Sequence, residues 1–176
     1  LFIGAYAGYN NTTGAENEFV GYKAGFGNQI GNYNEIFGYN SFFKNVSGAS
    51  NAMFGRYTGY ENTTGSDNCF FGDASGWKNT SGSRNAFYGK ASGANNTTGE
   101  ENTMVGWETG KLTKTGSRNV YMGYRAGEQG DDASENTIMG YWSGHLNKAD
   151  HNTFVGYQAG YENTTGTPNT FIGYKA

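Results

Sequence analysis

The sequence predicts an all-β fold, a parallel β-solenoid (β-roll) of about ten 17-residue coils. Glycines that each follow two apolar residues recur along all 176 residues at a spacing of 17, with a single spacing of 16. An Asn lies four residues before this Gly in all ten repeats that contain the position. A period of 17 is too short for helix-pair repeats, which need about 33 residues, and it suits one coil of a solenoid.

The composition argues against helices. The chain has 30 Gly and one Pro, and Gly costs about 1 kcal/mol per helical position relative to Ala. Aromatic residues make up 16% of the chain, which is too many for a disordered polar tract. We therefore expect residues 1–176 to fold as a single repeat domain. Because the sequence starts and stops within a coil, we expect it to be a fragment of a longer fibre protein.

The charge of the chain excludes several classes of partner. The net charge is −3 and only 15% of residues are charged, so bulk charge attracts neither nucleic acid nor an anionic membrane. No stretch approaches the roughly 18 to 20 apolar residues of a membrane span, so we expect no membrane insertion. The single cysteine, Cys69, has no partner for an internal disulfide.

Three glycine columns define the coil when positions are counted from the repeated Gly as position zero. Positions 0, +4 and +10 hold 28 of the 30 glycines. Because Gly adopts positive φ freely and lets another backbone approach closely, these columns are predicted to mark corners. Asn at position −4 also tolerates the left-handed conformation. It is expected to hydrogen-bond its own backbone and the Asn of the neighbouring coil, forming a ladder.

The positions −2 and −1 are apolar in every coil, as in Phe70 and Phe71. Adjacent residues of a strand point to opposite faces, so one column fills the interior and the other lines the outside of the rod. A soluble monomer rarely exposes an apolar surface of that length. The pattern therefore predicts a parallel homotrimer that buries the outer column. The alternative is a bend between the two positions that turns both columns inward.

The repeat also carries a family resemblance. The run Asn152 to Gly160 reads Asn-Thr-Phe-Val-Gly-Tyr-Gln-Ala-Gly. It resembles repeats of YadA-like trimeric autotransporter adhesins and, more closely, of phage tail fibres and related trimeric adhesive fibres. The resemblance covers the whole chain and implies a homotrimer on a cell surface or in a virion tail fibre, outside the cell, that attaches to a host-surface receptor or glycan. The chain departs from autotransporter heads in its longer coils and in its Phe residues where those heads have small ones.

Four side chains are candidate ligand-binding residues: Trp142, His145, Tyr57 and Trp77. Exposed aromatic rings stack on the apolar faces of sugars. His145 and Trp142 belong to a coil that lacks the +10 Gly and is one residue short, and solenoids place binding surfaces where coils depart from the repeat. Trp142 is expected to be the best exposed tryptophan. The alternatives are a solvated loop around His145 and packing of the aromatic rings at the trimer interface.

Other functional classes find less support in the residues. No His-Glu-x-x-His spacing and no separate Ser, His and Asp arrangement occurs, so we expect no enzyme, no metal and no cofactor. Thr-Thr pairs such as Thr63 and Thr64 suggest an ice-binding solenoid, although residues such as Lys114 interrupt the array. A monomeric carbohydrate-binding module is a third alternative.

Overall fold

A computed structural model describes all residues 1–176. It contains eleven short strands and no helix, and the strands form one parallel sheet in which each strand pairs with the next along the chain. Paired residues lie one repeat apart, as Phe70 and Phe87 do. The predicted parallel β-solenoid is therefore confirmed. The strands are β1 (Phe2–Ile3), β2 (Glu18–Val20), β3 (Glu35–Phe37), β4 (Ala52–Phe54), β5 (Cys69–Phe71), β6 (Ala86–Tyr88), β7 (Thr103–Val105), β8 (Val120–Met122), β9 (Thr137–Met139), β10 (Thr153–Val155) and β11 (Thr170–Ile172).

Backbone hydrogen bonds between coils continue around the part of each coil that is not strand. The amide of Gly76 donates to the carbonyl of Ser92 at 3.0 Å, and the amide of Thr80 donates to the carbonyl of Thr97 at 2.9 Å. Neighbouring parallel strands lie about 4.8 Å apart, so eleven of them form a rod about 50 Å long. Each coil is thus fixed to the coils before and after it.

The interior of the rod is one column of apolar side chains from position −2. The rings of Phe70 and Phe87 stack at 4.8 Å between centroids and are fully buried. The side chains at −1 point the other way, and Tyr88 is 39% exposed. The alternative of a bend that turns both columns inward is therefore wrong. The fully buried residues at −2 are Phe19, Ile36, Met53, Phe70, Phe87, Met104, Tyr121, Ile138 and Phe154.

The three glycine columns serve two different purposes. At positions 0 and +4 the glycines have positive φ, as predicted, for example +57° at Gly76. At +10 the expectation of positive φ is wrong. Gly65 is required there by close approach, because a Cβ atom would lie 2.4 Å from the carbonyl oxygen of Gly82. Positions +2 and +12, by contrast, hold non-glycine residues at positive φ, such as Tyr57 and Arg84, both at 58°.

Asn side chains form the predicted ladder at position −4, and a second ladder at +7. The backbone amide of Asn85 donates to Oδ1 of Asn68 at 3.0 Å. In the second ladder, Nδ2 of Asn79 donates to Oδ1 of Asn62 at 2.7 Å. The −4 residues do not adopt the left-handed conformation, so side-chain hydrogen bonding is what requires Asn there. Both ladders are buried and cross-link successive coils.

Candidate functional site

One flank of the rod carries an apolar column along its whole length, with charged strand residues only at Glu18 and Glu35. Its outer column at position −1 is here called the apolar stripe. The rings of Phe37, Phe54, Phe71 and Tyr88 stack along it with centroid distances of 4.6, 4.7 and 5.2 Å. Strands β4 to β11 contain no charged residue. The stripe consists of Ile3, Val20, Phe37, Phe54, Phe71, Tyr88, Val105, Met122, Met139, Val155 and Ile172.

Tyrosines at position +1 extend this flank toward the end of the rod. Tyr124, Tyr141, Tyr157 and Tyr174 stack in sequence at centroid distances of 5.0, 5.3 and 5.1 Å. All four are exposed. They add a second line of aromatic surface beside the apolar stripe.

Charged side chains concentrate at other register positions. At +12, Arg84 pairs with Glu101, and Arg118 pairs with Glu135, in each case between adjacent coils. These pairs are exposed to solvent, so they contribute little to stability. Ion pairs therefore recur at +12, away from the stripe, and a further pair, Arg56 with Asp73, interrupts the tyrosines at +1.

The structure brings two of the predicted residues, Tyr57 and Trp77, into one open cleft of about 440 Å³. Trp77 is 42% exposed. Tyr57 packs edge-on against Tyr60, with 5.9 Å between the ring centroids. The cleft is lined by Arg56, Tyr57, Tyr60, Asp73, Ala74 and Trp77. Below, this is called the Trp77 cleft.

An ion pair forms one wall of the Trp77 cleft. The Arg56 guanidinium donates from Nε to Oδ1 of Asp73 at 3.1 Å and from Nη2 to Oδ2 at 3.0 Å. This bidentate contact lowers the pKa of Asp73 below its ordinary value, so the carboxyl is charged at neutral pH. The pair could have been found from the sequence, because residues 17 apart become neighbours in a solenoid of this period.

The other two predicted residues, Trp142 and His145, lie together in another part of the rod. His145 is 8% exposed, and its ring stacks on Tyr161 with 5.0 Å between centroids. Nδ1 of His145 lies 3.2 Å from Oε2 of Glu128. Burial nevertheless lowers the pKa of His145, the Glu128 charge opposing that shift and the Arg125 charge adding to it. The region around His145 is therefore not the solvated loop that was one alternative.

Trp142 is less exposed than the sequence suggested. It is half-buried, whereas Trp77 and Trp107 are 42% and 49% exposed. Its indole packs between His145 and Tyr161, at centroid distances of 5.7 and 5.9 Å. The reason is that +5 is an aromatic column elsewhere in the rod, and His145 and Tyr161 continue it beside Trp142. The four predicted residues thus form two pairs separated by four to five coils, or about 20 Å.

The Thr-Thr pairs considered for ice binding do not form a fully open array of hydroxyl groups. Thr63 Oγ1 donates to the carbonyl of Thr80 at 3.0 Å, and Thr80 Oγ1 donates to the carbonyl of Thr97 at 2.9 Å. These hydroxyl protons bond the next coil, whereas the second threonine of a pair, such as Thr64, is exposed. The open array that the ice-binding alternative requires is thus narrowed to one of the two threonine columns.

The fold and these surfaces define the chain as a parallel β-solenoid repeat protein with one apolar flank. Comparison with protein-family models, curated proteins and solved structures finds no match to it. No group of three or more His, Cys, Asp or Glu side chains is arranged to hold a metal ion. No helix long and apolar enough to cross a membrane is present.

Proposed function

We propose that the chain is a structural and adhesive segment of a homotrimeric fibre, of the surface or tail type, that acts outside the cell. In this proposal the rod spaces or presents a surface that binds a host-surface receptor, with a glycan as the ligand. The observation that carries the proposal is the apolar stripe, which runs the full length of the rod and is free of charged strand residues from β4 to β11.

The free energy of burying the stripe favours association. Removing apolar surface from water stabilises a complex by roughly 25 cal/mol per Å². Stacked rings such as Phe54 and Phe71 present their outer edges to solvent in a single chain. A continuous exposed patch of this kind marks an interaction surface rather than an ordinary monomer surface.

The polarity of the rod favours a cyclic arrangement. All strands run parallel, so chains that associate side by side around an axis along the rod keep equivalent coils at the same height. Each chain then offers the same stripe to the axis, and cyclic symmetry closes the assembly. Three chains place the stripes together at the centre and leave the ion-paired columns toward solvent.

A rigid trimer suits adhesion. Hydrogen bonds between successive coils and the two Asn ladders stiffen the rod, and three equivalent binding surfaces raise avidity without any new contact. A monomeric carbohydrate-binding module would have the same glycan specificity without this multivalency.

A charge placed in the middle of the stripe tests the proposal. In Phe54→Lys an ammonium group replaces a ring stacked between Phe37 and Phe71, so we expect light scattering after size exclusion to report a change from three chains to one. Ser81→Lys is the matched control, since Ser81 is exposed at position +9 outside the strands. It should leave the mass unchanged.

Circular dichroism and a cooperative melt check that both variants fold. A folded Phe54→Lys protein that keeps the wild-type trimeric mass would contradict the stripe as the interface. Dissociation of Ser81→Lys to the same extent would contradict it as well, because the effect would then be one of added charge alone.

A further inference from the structure

The Trp77 cleft lies between positions +2 and +5 of successive coils. Position +2 holds Ala74 in this coil and Ala91 in the next, whereas the preceding coil has Tyr57. The small side chain leaves the face of the cleft open beneath Trp77.

The aromatic rings of the cleft are held in fixed orientations. Tyr57 has a φ of 58°, a conformation shared by position +2 of every coil, so its direction is set by the repeat. Its ring meets Tyr60 at an interplanar angle of 69°. Trp77 is exposed on the next coil at the same register position as Tyr60. Together the three rings form an aromatic surface that lines the open cleft, and the Tyr57 ring meets the Tyr60 ring edge-on.

Hydrogen-bonding groups border these rings. Two of the five N–H groups of Arg56 bond Asp73, and three remain free to donate. The Asp73 carboxylate retains lone pairs that can accept from hydroxyl groups. The charges of Arg56 and Asp73 cancel within the pair, and Lys90, one coil further along, adds a positive charge that also acts on Asp73.

Another cleft with the same register shows what the Trp77 cleft has in addition. Tyr6, Tyr9, Tyr22 and Phe26 line it, and Lys23 lies within about 6 Å of several of these rings. The ammonium group thus covers the aromatic faces with a single uncompensated charge. In the Trp77 cleft the cation over a ring is Arg56, which lies 5.6 Å from the Tyr57 ring centroid and is paired with Asp73, and no cation lies over Trp77.

We propose that the Trp77 cleft binds a pyranose unit of a neutral glycan. The apolar face of the sugar stacks on Trp77, because C–H groups on one side of a pyranose match the face of an indole ring. The sugar hydroxyls exchange hydrogen bonds with Arg56 and Asp73. An acidic sugar is disfavoured, since the Asp73 carboxylate that lines the cleft would repel it and already holds two of the Arg56 donors. This site specifies the ligand class within the proposed adhesive function and rests on that proposal.

Saturation-transfer-difference NMR with neutral methyl pyranosides, namely glucosides, galactosides and mannosides, tests this inference on the intact chain. We expect at least one of them to bind, and Trp77→Ala to weaken it by about tenfold or more. Asp73→Asn, which keeps the shape of the side chain, should also weaken it. Tyr9→Ala is the matched control, because Tyr9 is an exposed aromatic residue at the same +5 position. It should leave binding unchanged.

Light scattering on the same samples separates this inference from the fibre proposal. Three results with a trimer would overturn the Trp77 site and leave the fibre proposal standing. The wild type could bind none of the pyranosides, the Trp77→Ala variant could bind them as well as the wild type does, or the wild type could prefer a sialoside. A monomer that binds a neutral pyranoside in a Trp77-dependent manner would support the site and overturn the trimer.

Discussion

The side-chain Oδ1 of Asn68 accepts a hydrogen bond from the backbone amide of Asn85, one coil further along the chain, at 3.0 Å. The same Asn68 donates from Nδ2 to the carbonyl of Gly82 at 2.9 Å. Both Asn side chains are 1% exposed. One buried amide therefore joins two neighbouring strands and a turn, and the relationship recurs along the rod.

Asn68→Ala should destabilise the rod by about 1–3 kcal/mol, because the buried amide of Asn85 loses its only acceptor. The Gly82 carbonyl keeps a second donor, Nδ2 of Asn79, so it adds little to the loss. Urea denaturation followed by circular dichroism measures the effect. Ser81→Ala, at an exposed position, serves as the control and should change the free energy of unfolding far less.

Gly76→Ala should be more harmful than its size suggests. Ala74, two residues earlier, has a φ of 56°, so Ala can adopt this backbone conformation, at a cost of about 1–2 kcal/mol relative to Gly. The methyl group that this substitution adds would lie 2.4 Å from the Phe70 ring, and such overpacking costs about 1–3 kcal/mol. Thermal melts should show a lower midpoint for Gly76→Ala.

A second substitution tests whether contact with the Phe70 ring causes the loss of stability in Gly76→Ala. One coil of the protein has Phe42 at the Gly76 position and Ile36 at the Phe70 position, and both are fully buried. Adding Phe70→Ile to Gly76→Ala should therefore recover part of the lost stability. Additive losses in the double variant would show that the ring contact is not the cause.

Tyr121→Phe should not destabilise the protein. The Tyr121 side chain is fully buried, and its hydroxyl makes no hydrogen bond of good geometry, although the Asn136 amide lies close enough to act on it. Burial also raises the pKa of Tyr121 far above its ordinary value. Removing an unpaired buried hydroxyl should leave the free energy of unfolding unchanged or raise it by up to about 3 kcal/mol. A clear loss in denaturant titration would mean that the hydroxyl is bonded, for instance to an ordered water.

The stability of the rod should depend on His145 in mildly acidic solution. The pKa of His145 is lower in the folded chain than its ordinary value near 6.5, so the unfolded chain binds the proton more readily. The corresponding stability is complete above pH 6.5 and decreases as the pH falls toward the folded-state pKa. His145→Phe, which preserves a ring against Tyr161, should remove this dependence in thermal melts between pH 7 and 5. If the wild type and His145→Phe showed the same pH dependence, His145 would not be its source.

Carboxylates act in a separate pH range. Ion pairing lowers the pKa of Asp73 and of Glu135, so any stability they contribute is present above the ordinary carboxyl pKa and is lost at more acidic pH. That loss should occur in wild type and His145→Phe alike, which keeps the histidine effect distinguishable.

The period and alternation of the sequence were sufficient to predict the coil, the strand pairing and the opposite directions of residues such as Phe70 and Phe71. A repeat of 17 residues places each residue beside its equivalents, and alternation assigns the faces of a strand. The same reasoning extends to the −4 ladder, where every coil supplies an Asn. These features depend only on register.

The candidate sites were less predictable because most of their residues lie in turns. Alternation does not give side-chain directions where φ changes sign, as it does at Tyr57 and Trp142. The sequence identified Tyr57 and Trp77 but not their meeting with Arg56 and Asp73. His145 was unexpectedly buried because its neighbour one coil away is Tyr161, on whose ring it stacks.

The mass of the unmodified chain in solution tests the central claim most directly. Sedimentation equilibrium at micromolar concentration should give three times 19.0 kDa, or about 57 kDa. A single species of 19.0 kDa with a cooperative unfolding transition would mean that the apolar stripe is stable in water without a partner, and it would contradict the trimeric fibre.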